Sequence, residues 1–205
     1  MSEPVALVRR AVVFELDLYR SLLRWATRRP DVSYPGVEVF GYAQAVTPVL
    51  WLWIFASACE IPLLHLLVPW HTVQVVALVL GAWGLLWMVG LLASVTVYPH
   101  LLSSSALRVR HGASIDITIG WDAIATIAVQ RRDLPSSVRT LQPSATGTGT
   151  NLQVGVSGQV NVHAVLREPT TVPTPKGSQR ITELSFWADD PRALVARARR
   201  DLIRS

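Results

Sequence analysis

The order of apolar and polar positions divides the chain into three textures. From Val5 to Arg29, the apolar residues Leu7, Ala11, Phe14, Leu18, Leu22 and Trp25 recur at spacings of three and four. Arg10, Asp17, Arg20, Arg24 and Arg28 fall largely on the opposite side. That period predicts an amphipathic helix within residues 1–30, with an arginine-rich face suited to the headgroup level of a membrane. The other seat open to such a stripe is the protein's own folded domain. Arg29-Pro30 ends the helix, because proline disfavours helix at the residue before it. Residues 31–45, with Pro35-Gly36, read as a linker.

The second texture is continuously apolar. Val46–Pro69 and Thr72–Tyr98 contain 24 and 27 residues, and no Lys or Arg occurs in the 78 residues between Arg29 and Arg108. At about 1.5 Å per residue the two runs reach about 36 and 40 Å, more than the roughly 30 Å of a hydrocarbon core. They are expected to be transmembrane helices, joined by Trp70-His71 into an antiparallel hairpin. Arg9, Arg10, Arg20, Arg24, Arg28 and Arg29 precede the first span, Arg108 and Arg110 follow the second, and the connector carries no Lys or Arg. Positive-inside bias then places both termini in the cytoplasm of a multi-pass plasma-membrane protein. Glu15 and Asp17 interrupt the stretch that a cleaved signal peptide would need to keep apolar.

The third texture alternates. Leu107 and Val109, then Ile115, Ile117 and Ile119 beyond His111-Gly112, predict two half-buried strands joined by a turn. Trp121-Asp122 opens another run through Ile124, Ile127 and Val129. Residues 133–150, rich in Ser, Thr, Gly and Pro, read as a long loop. Leu152, Val154 and Val156 face Val160, Val162, Ala164 and Leu166 across Ser157-Gly158, a hairpin signal. Ile181, Leu184 and Phe186 make a last strand. Asp190-Pro191 supplies an N-cap and a first-turn proline for a closing helix, with Leu194, Val195, Ala198 and Leu202 on one face.

Six or seven strands followed by one helix, with Trp121-Asp122 at one strand and Asp189-Asp190-Pro191 leading into the last helix, resemble a pleckstrin-homology-like (PH-like) domain of bacterial membrane proteins. The resemblance covers Ala106 to Arg204, and Val162 to Val172 looks like the family's long strand ending in a proline turn. It implies a bent antiparallel sheet or barrel capped by the C-terminal helix, in a cytoplasmic α+β domain over residues 105–205 that follows a membrane α-helical hairpin. Members that bind inositol phosphates cluster basic residues around the first hairpin. Arg108, Arg110 and His111 match that cluster, and Asp116 stands where another cation would sit.

Composition sharpens this picture. Half of the 205 residues are apolar and 16% are charged, against roughly 25% charged in a soluble globular domain, and the mean hydropathy is +0.34. A single cysteine excludes an intramolecular disulfide framework. The net charge of +5 comes from 18 Arg, 1 Lys and 14 acidic residues, too small an excess to imply nucleic acid. The expected partners are membrane lipid and a membrane protein or second copy of the chain. No cofactor is expected.

Glu60 is the most informative single residue. A charge near the middle of a span costs at least about 2.5 kcal/mol, so an acid there is by default a proton relay, an ion site or a polar hook for another helix. The plainer reading hydrogen-bonds a protonated Glu60 to an indole of Trp83 or Trp87, which share a helical face. Pro62 breaks one backbone hydrogen bond nearby, and His65 lies toward the outer end. Cys59, Glu60 and His65 share no helical face, which argues against a metal site. Ala77 with Gly81, and Gly90 with Ser94, are small-residue pairs suited to close helix approach. In the last helix Arg197, Arg199 and Arg200 either are solvated or press the domain onto an anionic leaflet. No phosphate-binding loop, paired-histidine motif or nucleophile elbow is present. The sequence therefore predicts a non-enzymatic adaptor or accessory subunit whose cytoplasmic domain binds a protein partner or headgroups. The alternative is a small transporter or channel subunit using Glu60.

Overall fold

A computed structural model describes residues 3–28, 31, 36–136, 139–147, 149–175 and 177–203, the side chains of 3–11 excepted. The chain divides into two units, Met1–Pro30 with Val46–Val97, and Asp31–Ala45 with Tyr98–Ser205.

The first unit is helical: α1 (Glu3–Ala26), α2 (Thr47–Leu67) and α3 (His71–Val97). Pro48 sits in the first turn of α2, where its missing N–H costs nothing. Pro62 lies within α2 and the helix continues through it, at the loss of one backbone hydrogen bond. The Gln74 side-chain amide donates to the carbonyls of His65 (2.9 Å) and Val68 (2.7 Å), satisfying acceptors that the end of α2 leaves free. Close approach of α2 and α3 depends on Gly81, where a Cβ would lie 2.9 Å from Ile61. At Gly90 a Cβ would lie 2.5 Å from Leu18, so the second small-residue pair receives α1. Phe14, Leu18 and Leu22 of the apolar stripe thus rest on α3, a seat that periodicity alone does not single out. Both α2 and α3 are long and apolar enough to cross a membrane. This chain leaves most of their side chains uncovered, with Leu52 65%, Phe55 68% and Leu66 82% exposed.

The second unit contains nine strands, one 3-10 turn (Trp121–Ala123) and one α-helix among the described residues: β1 (Glu38–Phe40), β2 (His100–Leu102), β3 (Ala106–His111), β4 (Ile115–Gly120), β5 (Ile124–Asp133), β6 (Leu141–Thr146), β7 (Gly149–Val154), β8 (Gln159–Val172), β9 (Gln179–Phe186) and α4 (Pro191–Leu202). They form a four-stranded sheet, β1-β2-β3-β4, and a five-stranded sheet, β5-β8-β9-β7-β6. With α4 this is an α+β layout. The alternating residues point inward: Leu107, Val109, Ile117 and Ile119 join Leu152, Val162, Leu184, Phe186 and Leu194 in one core. Trp121 is buried in it, its indole N–H donating to the Ser103 carbonyl at 2.9 Å. Asp190 caps α4 by accepting from the Ala193 amide at 2.9 Å.

Three expectations are corrected. The segment read as a linker contributes β1, which pairs with β2 from Glu38↔Leu102 to Phe40↔His100. A three-residue strand is too short for its period to show in sequence. Within the segment read as a loop, β6 pairs with β7 despite Pro143, because an edge strand tolerates a missing N–H. The Ser157-Gly158 turn forms, with both residues at positive φ and one bridge, Val156↔Gln159. Beyond it the strands part: β9 lies between them, parallel to β7 and antiparallel to β8. A two-residue turn determines local twist, whereas β9 pairs along both edges only by separating β7 from β8. The five-stranded sheet is therefore mixed rather than wholly antiparallel.

Replacing Gly90 with Leu is expected to drive a side chain into Leu18 and lower the thermal midpoint of the detergent-purified protein, at a cost of about 1–3 kcal/mol. The same substitution at Gly84, where a Cβ meets nothing within 4 Å, should leave the midpoint unchanged. Equal effects at both glycines would contradict the packing of α1 on α3.

Candidate functional site

The intramembrane polar group anticipated around Glu60 is not assembled. Glu60 is exposed on α2 and its carboxylate has no hydrogen-bond or ion-pair partner among the described residues. His65 is likewise exposed, its carbonyl rather than its ring engaged by Gln74. The Trp83 indole donates to the Tyr19 hydroxyl at 3.2 Å, not to Glu60, and Tyr19 in turn donates to Glu15 at 3.1 Å. Trp87 packs against Phe14, with ring centroids 6.2 Å apart at a tilt of 56°. The tryptophans therefore belong with α1. Glu15 and Tyr19 stand four apart on one helix, and Trp83 and Trp87 four apart on another. That matched spacing is the only trace of the arrangement in the sequence.

The basic residues of α1 separate in the same way. Arg20 is exposed, 3.5 Å from Asp17. Arg24 is half-buried, and Arg28 is exposed at the C-terminal end of the helix, with a left-handed φ of 52°. The side chains of Arg9 and Arg10, and the whole of Arg29, Pro30, Pro35 and Arg204, lie outside the described residues.

In the sheet unit, Arg110 is corrected from a surface contact to a buried one. Its side chain is 1% exposed. Nε donates to the Pro99 carbonyl (2.8 Å), and the terminal nitrogens donate to the Asp31 carboxylate (3.0 Å) and carbonyl (2.9 Å). Alternation would have placed Arg110 beside Arg108 facing solvent. Instead the guanidinium ties the segment before the helices to the strands after them. Arg108 pairs with Asp116 across β3 and β4, Nε to Oδ1 at 2.7 Å, so the acid standing among the cations neutralises one of them.

Tyr42 is buried beside this anchor. Its hydroxyl accepts from the Gly112 amide at 2.7 Å, and its ring lies 4.9 Å from that of His100 and 5.1 Å from that of His111. Burial pushes the phenol up from its usual range. The neighbours of His100 determine its tautomer. Nε2 must donate to the Trp187 carbonyl (2.8 Å), while Nδ1 accepts from the Arg110 amide (3.1 Å). The ring is thus neutral. Desolvation brings both His100 and His111 down to about 4, and the buried Nδ1 of His111 has no partner among the described residues. Asp189 completes the stitching: its carboxylate accepts from the Gln44 amide, and its own amide donates to the Gly41 carbonyl at 2.8 Å.

A second polar chain runs across β8, β9 and β7. His163 Nδ1 lies 3.0 Å from Ser185 Oγ and Nε2 lies 3.7 Å from Glu183, while Ser185 donates to Asn151 Oδ1 at 3.1 Å. Burial lowers the His163 pKa, opposed by Glu183 and assisted by Arg132. The direction of the His163–Ser185 hydrogen bond follows from the histidine tautomer. On α4, Arg197 bridges Glu38 (2.7 Å) and Asp201. Arg199 is exposed and donates to the Ile127 carbonyl at 3.3 Å. Arg200 is exposed with no partner among the described residues. Of the five arginines singled out for contact, Arg199 and Arg200 therefore remain the most open. Among the described residues no three His, Cys, Asp or Glu side chains converge as metal ligands would.

Compared with protein-family models, with curated proteins and with solved structures, the chain matches none of them.

The two depressed histidines predict acid sensitivity. Their folded values lie below the unfolded value of about 6.5, so the folded state resists protonation. Their stabilisation is complete above pH 6.5 and is lost as pH falls toward 4. Each contributes a slope of about 1.4 kcal/mol per pH unit in that window. Urea midpoints of the full chain should fall between pH 6.5 and 5, above the range where ordinary carboxylates titrate. His111→Phe should remove about half of that dependence; an unchanged slope would refute the assignment.

Proposed function

We propose that the protein is a non-enzymatic integral membrane protein in which α2 and α3 cross the plasma membrane and the segments flanking them face the cytoplasm. In this reading the sheet unit is a PH-like domain that binds a protein partner or lipid headgroups, as an adaptor or accessory subunit. The observation that carries the proposal is the uncovered apolar surface of α2 and α3, with Trp51, Leu52, Trp53, Phe55 and Leu66 exposed. Water does not favour so large a continuous apolar surface, whereas a bilayer does. Sidedness draws support from topology as well as charge. Because β1 pairs with β2, the chain leaves the sheet unit and re-enters it through neighbouring strands. That continuity, like the arginines of α1 and Arg108, supports a helix pair that begins and ends on one side. The PH-like assignment rests on β8, which runs 14 residues to Val172 before Pro173, and on the Asp190-capped final helix. Exposed Arg199 and Arg200, tethered near an anionic leaflet, support headgroup or partner contact.

The single cysteine makes the test direct. The protein should stay in the pellet after alkaline carbonate washing, and Cys59 should react with a membrane-impermeant maleimide only after detergent is added. In a Cys59→Ser background, Trp70→Cys should label in intact cells, and Ser178→Cys only after permeabilisation. Release by carbonate, or labelling of Ser178→Cys from outside, would refute the proposal.

The unpartnered carboxylate of Glu60 favours a second reading, a transporter or channel subunit. If Glu60 hooks a partner helix, Glu60→Gln should keep the complex and Glu60→Leu should lose it. If Glu60 carries protons or cations, Glu60→Gln alone should abolish a proton- or cation-dependent flux in vesicles while assembly persists.

A further inference from the structure

Between α1 and α3 lies an open groove of about 360 Å³, lined by Phe14, Glu15, Trp83, Gly84 and Trp87. Its walls are aromatic and its one ionisable group is the Glu15 carboxylate. Tyr19 donates to that carboxylate at 3.1 Å and itself accepts from the Trp83 indole at 3.2 Å. This chain holds the acid in a defined place without neutralising it, and among the described residues no cationic side chain pairs with Glu15. The groove is open at position 84, where a Cβ would meet nothing within 4 Å.

We propose that this groove is a binding site for a small hydrophobic organic cation, a quaternary ammonium with an apolar substituent. The chemistry of the lining selects that class. Aromatic faces attract a cation through their quadrupoles, and the attraction strengthens when the cation is desolvated. A carboxylate in an otherwise apolar wall supplies the counter-charge that such a cation needs on leaving water. A neutral apolar molecule would leave the carboxylate unpaired. A hydrophilic cation would give up its hydration to apolar walls. An anion would meet Glu15. The site lies wholly within the helical unit and uses neither Glu60 nor the sheet unit.

The test uses the full chain in nonionic detergent, with benzyltrimethylammonium as the probe and neopentylbenzene, its uncharged isostere, as competitor. Equilibrium dialysis should show one saturable site. Glu15→Gln, which keeps an acceptor for Tyr19 but removes the charge, should weaken binding by about tenfold or more. Gly84→Leu, which fills the groove without touching the Glu15–Tyr19 bond, should weaken it as much while the thermal midpoint holds. The isostere should compete at least about tenfold less well than the cation. Binding unchanged in both variants, or equal competition by the isostere, would overturn the proposal. The assay needs no bilayer, so its failure is distinct from failure of the labelling experiment on membrane topology.

Discussion

The pairing of β1 with β2 is the constraint on which the rest of the architecture depends. It joins residues 38–40 to residues 100–102, strands separated in sequence by the whole of α2 and α3. Three backbone-paired positions are a weak bond on their own, and the side chains around them make it specific. Arg110 binds both the carboxylate and the carbonyl of Asp31, Arg197 reaches Glu38, Tyr42 packs between two histidine rings, and Asp189 holds Gly41 and Gln44. Each of these contacts crosses from the segment before the helices to the segment after them. The sheet unit is a domain in two pieces, and its completion requires the chain to come back to it after the long apolar excursion.

That requirement explains why so much charge is buried around one short strand. Taking a guanidinium out of water is expensive unless its donors are met, and the Arg110 donors are met by two carbonyls and a carboxylate. Removing Asp31 would leave a buried cation uncompensated, whereas an apolar pair at the same place would pack without specifying register. A three-residue strand has too little hydrophobic pattern to find its own register. The ionic and aromatic contacts therefore supply the specificity that the strand lacks, and the low pKa values of His100 and His111 are the consequence of packing neutral rings into that knot.

The legible and illegible parts of the fold divide along the range of the interaction. Apolar runs, the hairpin around His111-Gly112, the turn at Ser157-Gly158 and the Asp190 cap are local patterns, and the structure carries each of them. What escaped was non-local. Nothing in Val154 or Phe186 says that β7 and β9 run parallel, and nothing in Glu38–Phe40 announces a strand whose partner lies 60 residues further on. The candidate site follows the same division. Trp83 and Trp87 are legible as a pair on one face, but the partners the structure gives them are on α1: Tyr19 for the Trp83 indole and Phe14 for the Trp87 ring, not Glu60.

This change of partner alters what each acid can do. Had Trp83 donated to Glu60, a single hydrogen bond would have explained an acid in an apolar helix and left Glu15 as an ordinary residue on a polar face. With Tyr19 taking that donor, Glu60 has no partner of its own in the described chain, and any bilayer around α2 leaves its desolvation uncompensated. Glu15, by contrast, already has one hydrogen bond and an aromatic surround, and among the described residues no cationic side chain pairs with it. Two carboxylates of the same kind thus stand in different surroundings: Glu60 without a described partner on an apolar helix, and Glu15 hydrogen-bonded to Tyr19 in a groove walled by aromatic rings.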